Sequence, residues 1–371
     1  MSSLNILNDS FFFFIVSLAI TAVISPFLIA VLKKFNISRR DERDFSTVIS
    51  ARKGKVGTPV MGGLAMIISV SLITLFFNWH RATTYVPLGA FILAALLGGI
   101  DDVLNIFGWR DRRVRTLGTV LRLARIHKSV FARIAYIVFL PWHAYKRFFY
   151  LLGSHPGKGV QAHEKIIVQL AIGFIVAGWL FKKLAWTSLW LPWFGSLDVG
   201  IFVIPFIVLA VVLMTNAVNI TDGIDGLAAG TLAISYGAYF IIALQQGKPE
   251  ISFLIATVMG ALAGYLLFNI HPALYQMGDV ASLGMGVLLA TIAFALNREI
   301  LLPLVGFIFM VELASVVFQT AWRVLFGRRF FKMSPLHHHL EFIGWNESRI
   351  VMYAWTIAGI MAVTGVWLSF Q

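Results

Sequence analysis

The chain has 371 residues, 59% of them hydrophobic and 13% charged, with a formal net charge of +13, and its mean hydropathy is +0.83. So little polar surface excludes an ordinary water-soluble domain and leaves an all-α integral membrane protein. There is no cysteine, which excludes disulfides and thiolate metal sites.

Apolar runs predict spans at about residues 10–32, 60–78, 86–106, 166–181, 200–217, 228–245, 251–269, 281–297, 300–325 and 350–369. About 20 apolar residues per crossing leave no room for a separate soluble catalytic domain. We therefore treat residues 1–371 as one polytopic membrane domain, with about ten transmembrane helices and chemistry confined to loops and helix ends. The connection from Lys33 to Lys55 carries eight basic residues against three acidic ones, which makes it cytoplasmic. In a membrane protein such an excess marks cytoplasmic loops, and no nucleic acid need be invoked. Both termini then lie outside. The connections after the third, fifth, seventh and ninth spans fall on the cytoplasmic face.

The segment from Gly108 to Lys165 interrupts this layout with twelve basic residues against Asp111 and Glu164. Its middle, Val130 to Leu152, is apolar and aromatic but broken by Arg133, Pro141, His143, Lys146 and Arg147. One crossing there would invert every later loop. The segment at about 108–160 is expected instead to be a basic cytoplasmic insertion of helices lying on the leaflet, aromatics dipped in and cations on anionic headgroups.

Four polar clusters land on the cytoplasmic face: Asp101-Asp102, the stretch from Asn216 to Leu227, Met277-Gly278-Asp279, and Pro335-Leu336-His337-His338-His339-Leu340-Glu341. Ionisable groups beside hydrocarbon are expensive, so their default reading is a site. Asp101 and Asp102 are adjacent carboxylates that need a counter-charge. Asn216, Asn219, Asp222 and Asp225 offer hard oxygen ligands beside Gly223 and Gly226, which suits magnesium and phosphate. Asp279 sits in a tight polar turn. Three consecutive imidazoles cannot share one helix face, so at least one is expected to enter the site while the others support it. Lys55 and Lys165 fall at the cytoplasmic boundary, where they serve either as phosphate contacts or as snorkelling anchors. Such a set suits phosphoryl transfer between a soluble anionic donor and a lipid phosphate.

These clusters, with Gly57-Thr58-Pro59-Val60-Met61-Gly62-Gly63 ahead of them, resemble the polyprenyl-phosphate N-acetylhexosamine-1-phosphate transferases. The triple histidine followed by Glu341 is similar to the subgroup that acts in peptidoglycan synthesis. The resemblance covers nearly the whole chain apart from residues 108–160. It implies transfer of phospho-N-acetylmuramoyl-pentapeptide from a uridine diphosphate carrier to undecaprenyl phosphate, releasing uridine monophosphate. It also implies Mg2+, the bacterial inner membrane with the site facing the cytoplasm, contact with membrane lipid and a homodimer. Asp101, Asp102, Asp222, His337 and His338 would be catalytic, and Asn219 and Asp279 would hold the metal. Lys55, Lys165, Asn216, Asp225, Asn269, Gln319 and His339 would contact substrate. The chain departs from the family pattern at Asn105, where a lysine is usual; at Gln276, where an aromatic is usual; and at Ala281, where glycine is usual. The first two remove a phosphate contact and a stacking surface for uracil. Arg110, Arg112 and Arg113 would supply replacement cations.

Two other readings compete. One is a transferase loading N-acetylglucosamine-1-phosphate, opposed by the triple histidine. The other is a catalytically weakened homologue acting as a membrane scaffold, opposed by the retention of every acidic cluster.

Overall fold

The structure is a computed structural model that describes residues 3–38, 57–79, 83–108, 117–151, 159–183 and 185–371. Helix α1 (Ser3–Lys34), α2 (Leu64–Ile73) and α3 (Tyr85–Phe107) precede three short helices, α4 (Leu117–Ile126), α5 (Val130–Val138) and α6 (Leu140–Leu151). Then come α7 (Ala162–Lys183), a hairpin of β1 (Ser188–Leu191) and β2 (Gly195–Asp198), α8 (Val203–Thr221), α9 (Leu227–Gln245) and α10 (Pro249–Asn269). The chain continues through α11 (Asp279–Ala295), α12 (Leu302–Val305), α13 (Phe307–Phe326), α14 (Leu336–Phe342) and α15 (Glu347–Ser369).

Eight helices among the described residues are long and apolar enough to cross a membrane, and Leu64–Asn78 and Asp279–Ala295 are shorter apolar helices. All ten expected spans are therefore helical. The one expected at 300–325 is broken at Gly306 between α12 and α13. The insertion forms α4 to α6, of 10, 9 and 12 residues, too short to cross singly.

Helix α11 is the axis of the bundle. Its sequence is apolar on every side, and Val280 through Ala295 are all buried, as expected of a helix without a polar face. It packs against α3 and α8, while α7 lies on α8 and α15 on α9. Contact is close where side chains are small. Gly260 and Gly264 of α10 lie directly on the backbone of α1 at Phe14 and Leu18, the small-xxx-small packing that lets helices approach where hydrocarbon offers no hydrophobic drive. Outer faces carry exposed Phe11, Phe12, Phe27, Phe76 and Trp367.

The two ends of the bundle differ. Helix α7 has 22 residues, a rise of roughly 33 Å, so Lys165 in its first turn and the hairpin after its last lie at opposite ends. At the hairpin end Arg298 lies 3.7 Å over the Trp190 ring and Glu299 Oε1 accepts the Trp190 N–H at 3.3 Å. The acidic clusters all gather at the other end.

Candidate active site

Four helices bring their ends together here. Asp101 and Asp102 occupy the last turns of α3, Asn216 and Asn219 those of α8, Lys165 the first turn of α7, and Asp279 opens α11. Lys165 Nζ lies 2.5 Å from Asp101 Oδ2 and 2.7 Å from Asp279 Oδ2. The remaining oxygen of each carboxylate is held by the fold: Asp101 Oδ1 accepts the Val160 N–H at 2.6 Å, and Asp279 Oδ1 accepts from Asn219 Nδ2 at 2.8 Å. Asn219 also donates to Ser282 Oγ at 2.9 Å. Asp102 Oδ2 accepts the Val280 N–H at 3.0 Å, placing a carboxyl oxygen against the positive end of α11.

Gly278 makes this approach feasible. Its φ is +76°, and a Cβ there would stand 2.7 Å from Asp102 Oδ2 and 3.0 Å from the Met61 nitrogen. Only glycine combines that backbone with that clearance. The preceding segment is paired with the glycine-rich stretch, since Gln276 N–H donates to the Pro59 carbonyl while Gly62 and Gly63 N–H donate to those of Gln276 and Met277. Ala281, in place of the usual glycine, packs its methyl on Gly63.

Asp222 and Asp225 lie beyond the end of α8. Asp222 Oδ2 accepts the Gly278 N–H at 3.2 Å, joining this turn to Asp279. Asp225 Oδ2 contacts His271 Nδ1 at 3.0 Å and accepts the Ala273 N–H at 3.2 Å, and the Asp225 N–H donates to Glu347 Oε2 at 3.3 Å. One ligand atom from each of Asp225, His271 and Glu347 falls within a 4.8 Å cluster. Asn269 ties the same loops, accepting from Gly226 N–H and donating to the Tyr275 carbonyl.

The histidines enter from α14. His337 is fully buried, its ring edge resting on Gly223. Its backbone N–H donates to Glu312 Oε1 at 3.1 Å, and its Nδ1 stands 3.1 Å from Glu312 Oε2. His337 Nε2 and His338 Nε2 are 3.2 Å apart, and His338 Nδ1 is 2.7 Å from Glu341 Oε2. Two of the three rings thus converge despite being consecutive, because Glu341 holds the His338 ring and Glu312 holds the His337 backbone. His339 turns away toward the Phe331 ring at 5.4 Å. Gln319 accepts the Phe330 and Phe331 N–H groups, so it shapes the loop before α14 rather than reaching the carboxylates. Asn216 pairs with Gln169, its Nδ2 2.7 Å from Gln169 Oε1. Lys55 and the arginines 110, 112 and 113 lie outside the described residues.

A cavity of about 490 Å³ opens beside this cluster, lined by the polar side chains of Asp101, Asn105, Lys165, Asn216 and Asn219 and by the apolar ones of Phe149, Ile166, Ile220 and Leu313. A lining that combines polar and apolar side chains is what a site for an amphiphile's head requires. The insertion contributes Phe149 and, through Gly159 and Val160, the hydrogen bond to Asp101. Sequence reasoning passed over Glu312, His271 and Glu347. Glu312 had a legible signal, a lone acid within an apolar span; the other two had none.

Carboxylate and carboxamide oxygens from α3, α8 and α11 form a hard donor set without thiolates, and it fits a hard divalent cation held partly by substrate oxygens. A helical membrane bundle with this polar centre at one end has the build of an enzyme acting on an anionic group at the bilayer surface. Residues 157–297 match the sequence profile of glycosyl transferase family 4. A protein of Anoxybacillus flavithermus named phospho-N-acetylmuramoyl-pentapeptide-transferase is 34% identical over 372 residues, covering 98% of this chain and 99% of its own. A protein of the same name from Enterococcus faecalis is 33% identical over 366 residues, 96% of this chain and 97% of its own. The Geobacillus sp. protein of that name is 34% identical over 362 residues, 96% of each chain. The chain belongs to the phospho-N-acetylmuramoyl-pentapeptide-transferase family.

Proposed function

We propose that this protein transfers phospho-N-acetylmuramoyl-pentapeptide from its uridine diphosphate carrier to undecaprenyl phosphate, at the cytoplasmic face of a bacterial inner membrane and with Mg2+. One observation carries the reading. Asp101 and Asp279, distant in sequence, meet at Lys165, with Asp102 held on the first turn of α11, beside a cavity lined by both polar and apolar side chains. Such a site admits a water-borne nucleotide from one side and a lipid phosphate from the bilayer.

In the reaction an oxygen of the acceptor phosphate forms a bond to the β-phosphorus of the donor. The bond from that phosphorus to the bridging oxygen breaks, and uridine monophosphate leaves with the electron pair. Asp102 has no cation in contact among the described residues and takes the base role toward the acceptor phosphate. Asp101, fixed by the Val160 N–H, positions that phosphate. Asp279 and Asn219 would hold Mg2+, which neutralises charge developing on the diphosphate. Asp222, Asp225 and Asn269 face the nucleotide side, and His337 and His338 complete the diphosphate pocket.

The test is release of uridine monophosphate by purified protein supplied with undecaprenyl phosphate and either donor, with and without Mg2+. The expected result is Mg2+-dependent release with the muramoyl-pentapeptide donor, abolished by Asp279→Asn. Release with UDP-N-acetylglucosamine alone would replace this function with the other transferase, and no release with either would support the scaffold.

A further inference from the structure

The contacts of Lys165 carry a consequence for metal binding. Asp101 and Asp279 each spend one oxygen on the scaffold, accepting from Val160 N–H and Asn219 Nδ2. Each turns its other oxygen to one shared point, and the Lys165 ammonium stands there at 2.5 and 2.7 Å. Among the described residues it is the cation in contact with both. Asn105, one turn beyond Asp101, has no charge with which to share that task. A divalent cation held by Asp279 would share that carboxylate with Nζ, and the two positive charges would repel each other strongly at such range.

We propose that Lys165 is the resident counter-cation of Asp101 and Asp279 and that it competes with the divalent cation for Asp279. The surroundings give the ammonium an exit. The side chain is 19% exposed and lines the cavity of about 490 Å³, so rotation about its four-carbon stem carries the charge away from the carboxylates without moving α7. The cavity also receives anionic substrate under the function proposed above, on which this part of the inference rests. An incoming diphosphate gives the displaced ammonium a new partner, so donor and metal strengthen each other's binding, and by linkage the effect is reciprocal. Lysine is suited to this exchange because its charge is compact and its stem flexible, whereas arginine's planar fork would hold both carboxylates more rigidly.

The experiment uses the full chain in detergent. Amine-reactive labelling of Lys165, read by mass spectrometry, is followed while Mg2+ is titrated without donor. Labelling is expected to rise roughly tenfold as the ammonium is expelled, within the usual range of coupling. Labelling that stays constant or falls overturns the proposal. Mn2+ binding, read by electron paramagnetic resonance, gives a second measure. Lys165→Met is expected to bind Mn2+ about tenfold more tightly than wild type without donor, and to lose most of the tightening that donor produces in wild type. Lys165→Arg is expected to bind Mn2+ more weakly than wild type. Equal or weaker binding by Lys165→Met overturns the proposal, and the labelling on the unaltered chain still decides it should that variant fail to fold. None of these readouts requires turnover. Failure of the transfer assay with a positive labelling result would remove the proposed reaction and leave the exchange standing.

Discussion

Removing the Glu312 carboxylate tests whether one buried acid holds the histidine helix on the site. Glu312 is 5% exposed within α13, and its oxygens accept the His337 N–H at 3.1 and 3.4 Å while also facing His337 Nδ1. A hydrogen bond to a charged group contributes about 1.5–3 kcal/mol, and stripping a buried donor of its partner costs about 1–3 kcal/mol. Glu312→Ala is thus expected to weaken the docking of α14 by ~3 kcal/mol, on the order of a hundredfold in its local equilibrium. Other anchors remain, since Leu336 N–H donates to Ser315 Oγ and Leu340 packs with Ile224, Leu227 and Ile350. Global unfolding should shift less than the local opening does. Glu312→Gln keeps one acceptor oxygen and is expected to lose only about tenfold in kcat/KM. The assay is kcat/KM for uridine monophosphate release, paired with hydrogen exchange across residues 336–342. If Glu312→Ala stays within about threefold of wild type and exchange there is unchanged, α14 is held by something else.

Gly278→Ala is expected to cost about 1–3 kcal/mol through its positive φ and to push Asp102 from the α11 N-terminus. Thermal unfolding should fall together with kcat, and an unaltered melting temperature would remove the steric account. At the other end of the bundle, burial pushes the Glu299 carboxyl from 4.5 up to about 7, and its Oε2 has no partner among the described residues. Between those values the folded chain binds more protons than the unfolded one, so stability falls as pH rises through the window and is flat above it. Glu299→Gln should abolish that slope and exceed wild type by up to ~3 kcal/mol above the window. Burial pushes Lys248 down to about 8 with the opposite sign, its contribution being lost as pH falls toward that value, so melting is compared near pH 7.5 and in the acid range. Parallel pH curves for variant and wild type would refute the assignment to Glu299.

The acidic clusters were legible because a charge beside hydrocarbon is conspicuous in any window of sequence. Asp101, Asp222 and Asp279 each close or open an apolar run, and all three gather at one end of the bundle. Lys165 was less legible, since a lysine at a helix end reads equally as a snorkelling anchor; its contacts with Asp101 and Asp279 are what separate the two. Gln319 and His339 were substrate contacts by family resemblance alone; in the structure Gln319 accepts from the loop ahead of α14 and His339 lies against Phe331 of that loop. The insertion was legible as basic and aromatic, but nothing in its composition foretold that Val160 would hold Asp101.

Run length and charge are local properties, and from them alone follow the membrane-spanning character, the ten apolar helices and the candidate residues at their ends. Which of those residues touch is another matter. Lys165 and Asp279 are 114 positions apart, and Glu312 lies 25 from His337. Their meeting depends on how closely α3, α7, α8 and α11 approach, and that is set by small residues and by backbone turns such as Gly278. No single stretch of chain contains that information, because the contact belongs to the packing of helices and not to any one of them.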